Sequence, residues 1–257
     1  MDDEVLACGG TVARLPQKAE IHVIYVADGM KSPAPILPHD AITPDLGRRR
    51  ERESVAAMGM LGVAEGNLHF LRLPEAELKR HIPALRRELL AHITAIDPDH
   101  VLLPFRFDRH PDHLAINQVL TAARQDGAIR AQLVEYFVYY RWRLLPGGDV
   151  RRYIRPSYLV EVDTRSVAAL KRQALDCFRS QTTIFYPWQT RPMLTPQLLD
   201  ETSQTPEYFL RCDAAVGRIA VFHKAVPWIR LAHRLEPFLQ KQKYLLGASL
   251  KRRLKRS

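Results

Sequence analysis

No stretch of the 257 residues reaches the roughly 18 consecutive apolar residues that a membrane-spanning helix needs, although 46% of the chain is hydrophobic. An export leader is also missing from view, because Met1-Asp2-Asp3-Glu4 is acidic where a leader has a basic segment followed by an apolar one. Cysteine is scarce. Cys8, Cys177 and Cys212 are far apart and odd in number, which excludes a disulfide framework and a CxxC metal knuckle and fits a reducing cytoplasm. No internal repeat or low-complexity segment is visible. Beyond Phe222 acidic residues nearly vanish: Glu236 alone faces ten lysines and arginines, so this tail carries +9 of the net +10 and the first 222 residues about +1. The basic character therefore belongs to the tail and not to the main body of the protein.

The length suits one sizeable domain with an appendage. Glu4 to Leu15 reads as a helix closed before Pro16. Ile21 to Val26 is short, β-branched and bounded by Asp28-Gly29, as a buried strand is. After a proline-rich loop through Pro33, Pro35 and Pro38, Arg48 to Leu61 is amphipathic and stops at Gly62. Leu68 to Leu73 is a second strand. Leu78, Ile82, Leu85, Leu89 and Ile93 recur at helical steps over Glu77 to Ile96, and Val101 to Pro104 is a third strand. Asp112 to Arg124 and Arg165 to Arg179 read as helices; Leu133 to Tyr140 and Tyr158 to Val162 read as strands. The alternation predicts an α/β fold, a Rossmann-like three-layer arrangement with a mainly parallel sheet flanked by helices. Its ligand site belongs at the carboxyl ends of the strands. Such a domain ordinarily opens with a strand, and here a helix comes first, so the first strand is expected to be missing.

Two acidic-histidine clusters fall at strand-to-helix junctions. Asp2-Asp3-Glu4 precedes Gly9-Gly10, and Asp108-Arg109-His110-Pro111-Asp112-His113 follows the third strand. Taken singly each has an ordinary reading, the acids as a helix start favoured by the macrodipole and His-x-Asp-His as a helix cap. Together they offer the carboxylate and imidazole donors that a catalytic zinc accepts, which points to hydrolysis by a metal-activated water.

On these residues the chain resembles the PIG-L/LmbE family of zinc-dependent N-acetylglucosaminyl deacetylases. Met1-Asp2-Asp3-Glu4-Val5-Leu6-Ala7-Cys8-Gly9-Gly10-Thr11 is similar to the family's His-[Pro/Met]-Asp-Asp-Glu motif and its glycine run, and His110-Pro111-Asp112-His113 to its His-x-Asp-His motif. Arg50-x-x-Glu53, Leu61-Gly62-Val63, Phe70-Leu71-x-Leu73-Pro74 and Ser180-Gln181 extend the likeness over roughly residues 1 to 215. The resemblance implies Zn2+ or another divalent metal held by Asp3 and His113, with Asp2 as general base. It implies further that His110 stabilises the oxyanion or protonates the amine, that Asp112 orients His110, and that Arg50 contacts substrate. The family's first histidine ligand falls one residue before Met1, so the chain as written is expected to bind zinc poorly. The implied substrate is an N-acetylated sugar: a GlcNAc-type glycolipid, glycoside or polysaccharide intermediate. Two other readings stay open, amidase action on a thiol-conjugate or other non-sugar amide, and a catalytically impaired sugar- or membrane-binding homologue.

Residues 216 to 257 read as a basic amphipathic helical extension that packs on its own domain or touches an anionic membrane surface. Nucleic acid is not an expected partner, since no stacking platform accompanies the charge. Localisation is expected to be cytoplasmic, with a peripheral position at the inner membrane face as the variant; the oligomeric state is left open.

Overall fold

The computed structural model describes residues 1–15, 18–30, 44–108, 110–139, 149–184, 191–203 and 206–213. The expected tail helix, its membrane contact and Arg109 lie outside the described residues. Helix α1 (Asp3–Arg14) opens the chain and is followed by β1 (Val23–Ala27), α2 (Pro44–Met60) and β2 (Leu68–Leu73). Helix α3 (Ile82–Ile96), β3 (His100–Pro104), α4 (Pro111–Gln125) and β4 (Gln132–Tyr136) continue the alternation. The last described part contains β5 (Leu159–Val162), α5 (Ala168–Asp176), α6 (Arg179–Thr182), α7 (Pro196–Thr202) and β6 (Glu207–Arg211).

The α/β class expected from the sequence is observed, but the strands form two sheets. β1 and β2 pair in parallel; the second sheet runs in the order β3-β4-β6-β5. There β3 and β4 are parallel, while β6 is antiparallel to both β4 and β5. This departs from a mainly parallel sheet, and β6 is the cause: it lies between β4 and β5 and reverses both pairings. The sequence reading did not single it out, because Glu207-Tyr208-Phe209-Leu210-Arg211 is short and lacks β-branched residues.

Side chains of the strands alternate between two cores, as expected where both faces of a sheet are covered. Val23 and Tyr25 of β1 pack with Val5, Leu6, Met58, Leu175 and Phe178 of α1, α2 and the α5–α6 region. Ile24 and Val26 pack instead with Leu85, Leu89, Val119 and Leu120 of α3 and α4. The expected helix over 165–179 breaks between α5 and α6 at Cys177-Phe178, where Phe178 adopts a non-helical conformation and buries its ring. Similarly, the segment expected as one helix over 77–96 is a short 3-10 turn (Leu78–Arg80) followed by α3, whose first turn takes Pro83 without loss because that amide is free anyway.

Helix α1 is fixed by a buried ion pair that the sequence reading missed. The Glu207 carboxylate accepts from the amides of Gly10 and Thr11 at 2.8 Å each, from Thr11 Oγ1 at 2.6 Å and from Lys171 Nζ at 2.7 Å. Lys171 also donates to the Leu6 carbonyl at 2.9 Å. Both charged side chains are 1% exposed. At Gly10 the helix also lies close against Thr164, since a Cβ there would lie 2.6 Å from Thr164 Cβ.

Candidate active site

The first acidic cluster enters the site through the start of α1. Asp2 stands at the N-cap with φ 103°, in the left-handed region that a non-glycine residue occupies only at a cost of about 1–3 kcal/mol. Its carbonyl accepts from the amides of Val5 and Leu6, while its side chain makes no cap hydrogen bond. The carboxylate is thereby left to the cavity. The second cluster enters through the start of α4, where Pro111 occupies the first helical position and His110 the cap.

These two helix starts meet. His113 Nε2 lies 3.3 Å from Asp3 Oδ2, and its Nδ1 lies 3.0 Å from Asp108 Oδ1, though off the direction of a good hydrogen bond. Burial opposes charge on His113, yet the Asp108 and Asp3 carboxylates overcome it and lift the imidazole to about 10. Burial likewise opposes charge on Asp3, but His113 outweighs it and holds the carboxyl well below the usual range. Asp2 behaves in the opposite way: desolvation, reinforced by the adjacent Asp3 charge, pushes it up to about 8. Two neighbouring carboxyls are thus driven apart, one ionised and one poised near neutrality.

Asp2, Asp3, Arg50, His110, Asp112 and His113 all line one cavity of about 590 Å3, which reaches along β1 to the ends of β3 and β4. Its place agrees with the carboxyl-end rule. The rings of His110 and His113 are 4.9 Å apart. His110 Nδ1 accepts from the Asp112 amide at 3.3 Å, which leaves its proton on Nε2, while the His110 amide donates to Asp108 Oδ1 at 2.8 Å. The Asp112 carboxylate does not reach His110 in this arrangement. It accepts from the amides of Ala76 and Leu78 at 2.6 and 3.2 Å, holding the turn after β2 against α4. Whatever orientation Asp112 gives His110 passes through its backbone.

Arg50 is 3% exposed. It donates to the Gly29 carbonyl, lies 3.9 Å from Glu75 and meets the Gln181 amide oxygen, with Nε donating at 2.8 Å. Gly29 has φ 67°, and a Cβ there would lie 3.1 Å from the Arg50 side chain. Two members of the site were not assigned roles from sequence. Asp108 meets both His110 and His113, and its signal was its place two residues before His110. Glu4 accepts from Tyr25 Oη at 3.0 Å, tying the start of α1 to β1; nothing local in the sequence pairs those two.

The donor set can be tested against a divalent metal. Two ligands at about 2.0–2.1 Å from a tetrahedral zinc stand about 3.3 Å apart, and Asp3 Oδ2 and His113 Nε2 have this separation. A carboxylate beside the outer nitrogen of a metal-binding histidine is the usual supporting contact, and Asp108 occupies that place. The pair fits the ion, although no group of three such side chains converges among the described residues.

Comparison with solved structures returns deacetylases and a conserved bacterial protein. The chain is 22% identical to the pseudoaglycone deacetylase Dbv21, with a TM-score of 0.56 over 83% of this chain and 95% of that one. To the conserved protein TT1542 from Thermus thermophilus it is 22% identical, with a TM-score of 0.59 over 88% and 94%. To the zinc-inhibited form of the teicoplanin deacetylase Orf2 it is 18% identical, with a TM-score of 0.55 over 83% and 96%. At these identities the likeness is one of fold. No curated protein matches the sequence. A family model does match: residues 1–124, which contain both acidic-histidine clusters, fit that of PIG-L, GlcNAc-PI de-N-acetylase.

Proposed function

We propose that this protein is a metal-dependent N-deacetylase that removes the acetyl group from an N-acetylated sugar. The observation that carries the reading is the meeting of Asp3 with His113 in a cavity that Asp2 and His110 also line. Asp3 and His113 would hold the metal, which when bound supplies a Lewis acid for the acetyl carbonyl and an acidified water. The chain's own groups supply the proton transfers. Asp2, with its carboxyl poised near neutrality, takes up a proton and returns it within the working pH range. His110 presents Nε2–H to the cavity as the donor for a developing oxyanion or a departing amine. Arg50 lines the cavity and would meet substrate hydroxyl or anionic groups with the guanidinium N–H groups that Gly29 and Gln181 do not take.

Support for a sugar substrate comes from the family match over residues 1–124 and from the neighbours named as A40926 pseudoaglycone deacetylase and teicoplanin deacetylase. The basic amphipathic tail pattern suits packing on its own domain first and, as the variant, a peripheral position at an anionic membrane with a lipid-linked sugar within reach. The test is release of free amine from N-acetylglucosaminyl lipids and glycosides, with and without a chelator. Chelation and Asp3→Asn or His113→Gln are each expected to lower the rate at least 100-fold. Amine release that survives all three overturns the assignment.

A further inference from the structure

Away from the cavity, three histidines gather at the other end of the two-stranded sheet. His22 immediately precedes β1, His69 is the second residue of β2, and His92 lies near the end of α3. His22 Nδ1 is 3.1 Å from His69 Nε2. Their rings stack at 5.4 Å and 12°, and His92 meets His69 edge-on at 5.3 Å and 68°. None is fully buried.

The outer ring nitrogens of His22 and His92 have oxygen partners. His92 Nδ1 is 3.0 Å from the Glu88 carbonyl, and His22 Nε2 is 3.2 Å from Glu20 Oε1. A carbonyl only accepts, so the proton sits on His92 Nδ1 and the lone pair is left on Nε2. The Glu20 carboxylate in the same way keeps the proton of His22 on Nε2 and leaves the lone pair on Nδ1, the nitrogen that faces His69. This is the arrangement by which carbonyls and carboxylates orient metal-binding histidines. The 3.1 Å between His22 Nδ1 and His69 Nε2 is within a few tenths of an ångström of the roughly 3.3 Å that two imidazoles adopt around tetrahedral zinc.

We propose that His22, His69 and His92 form a second metal site, for a divalent ion of the zinc class, that ties β1, β2 and α3 together at the amino-terminal ends of the two strands, outside the lining of the catalytic cavity. Imidazole donors suit zinc, copper and nickel, and no thiolate competes in the cluster. His22 and His69 already stand at ligand separation. Among the described residues no three donors are preassembled as a cage, so His92 closes the site by turning its free Nε2 toward the ion. His69 gives up the proton on Nε2 and takes one on Nδ1 through solvent, leaving its charge unchanged. A fourth position remains for water. The site uses none of the residues assigned to deacetylation, and it stands or falls independently of that reading.

The test uses the full chain carrying Asp3→Asn and His113→Gln, which removes the catalytic donors. Zinc is titrated against a chromophoric chelator, and thermal unfolding is followed with and without zinc. One equivalent is expected to bind and to raise the unfolding temperature. Adding His69→Gln is expected to weaken that binding at least tenfold and to abolish the temperature shift, with the far-UV spectrum unchanged. Should His69→Gln disturb the fold, His22→Gln, which lies ahead of β1, gives the same readout. Absence of zinc binding in the parent, or full retention of it in a folded His69→Gln or His22→Gln variant, overturns the proposal.

Discussion

Replacing Lys171 by Met deletes one half of the ion pair that fixes α1. The Glu207 carboxylate, 1% exposed, then keeps its bonds to Gly10 and Thr11 but faces no cation. Removing one partner of a buried pair costs about 3–5 kcal/mol, because the remaining charge stays desolvated. Glu207→Gln is the mirror image. It leaves the buried Lys171 ammonium without a counter-charge and turns the amide NH2 toward the donors on one side, either Gly10 and Lys171 or Thr11. A domain is stable by about 5–15 kcal/mol in total, so each single variant loses a large share of its stability. If the two costs simply added, the double variant would lose about 6–10 kcal/mol and in many cases would not fold. With neither charge present, the double variant Lys171→Met/Glu207→Gln is instead expected to lose no more than either single variant. Urea unfolding followed by far-UV circular dichroism gives all three values. A loss under about 1 kcal/mol for Lys171→Met, or additive losses in the double variant, would refute the claim that a desolvated charge pair holds this helix.

Four further outcomes are expected. Gly10→Ala drives a Cβ into Thr164 Cβ, which cannot swing away, and should cost about 1–3 kcal/mol in the same urea assay; unchanged stability would show that α1 is free to shift. Asp112→Asn weakens two charge-assisted bonds to the 76–78 turn, so amide exchange at Ala76 and Leu78 should accelerate at least tenfold, and unaltered exchange would contradict the anchoring. Partial burial opposes charge on Asp149, but its bonds from Arg151 hold the carboxyl below the ordinary value; its stabilisation is therefore full above the unfolded value of about 3.9 and lost as pH falls through the lowered one. The stability gap between wild type and Asp149→Asn should accordingly be present at pH 6 and shrink below about pH 4, and a gap constant to pH 2 would rule this out. Arg50→Lys keeps the charge but loses the fork, and should raise KM about tenfold with little change in kcat; an unaltered KM removes Arg50 from substrate binding.

The order and type of most elements were legible in the sequence, because each is a local pattern. The 3.6-residue step over Ile82 to Ile93 and the short β-branched run over Val23 to Val26 need no distant partner to be recognised. The sequence also placed Asp2, Asp3, His110 and His113 at helix starts, where the motif spacing and the alternation of elements already imply a common pole. Features joining distant residues were not legible. Nothing near Lys171 announces Glu207, and nothing in β6 announces that it will lie antiparallel between β4 and β5 and split a simple parallel order. Asp112 shows the same limit at the site: the resemblance gave it the orienting of His110, and the structure spends its carboxylate on the turn at 76–78 and leaves His110 the amide. Local propensity decides what a segment becomes, but which buried donor meets which acceptor is settled by packing, where every polar group taken from water must find a partner already in place.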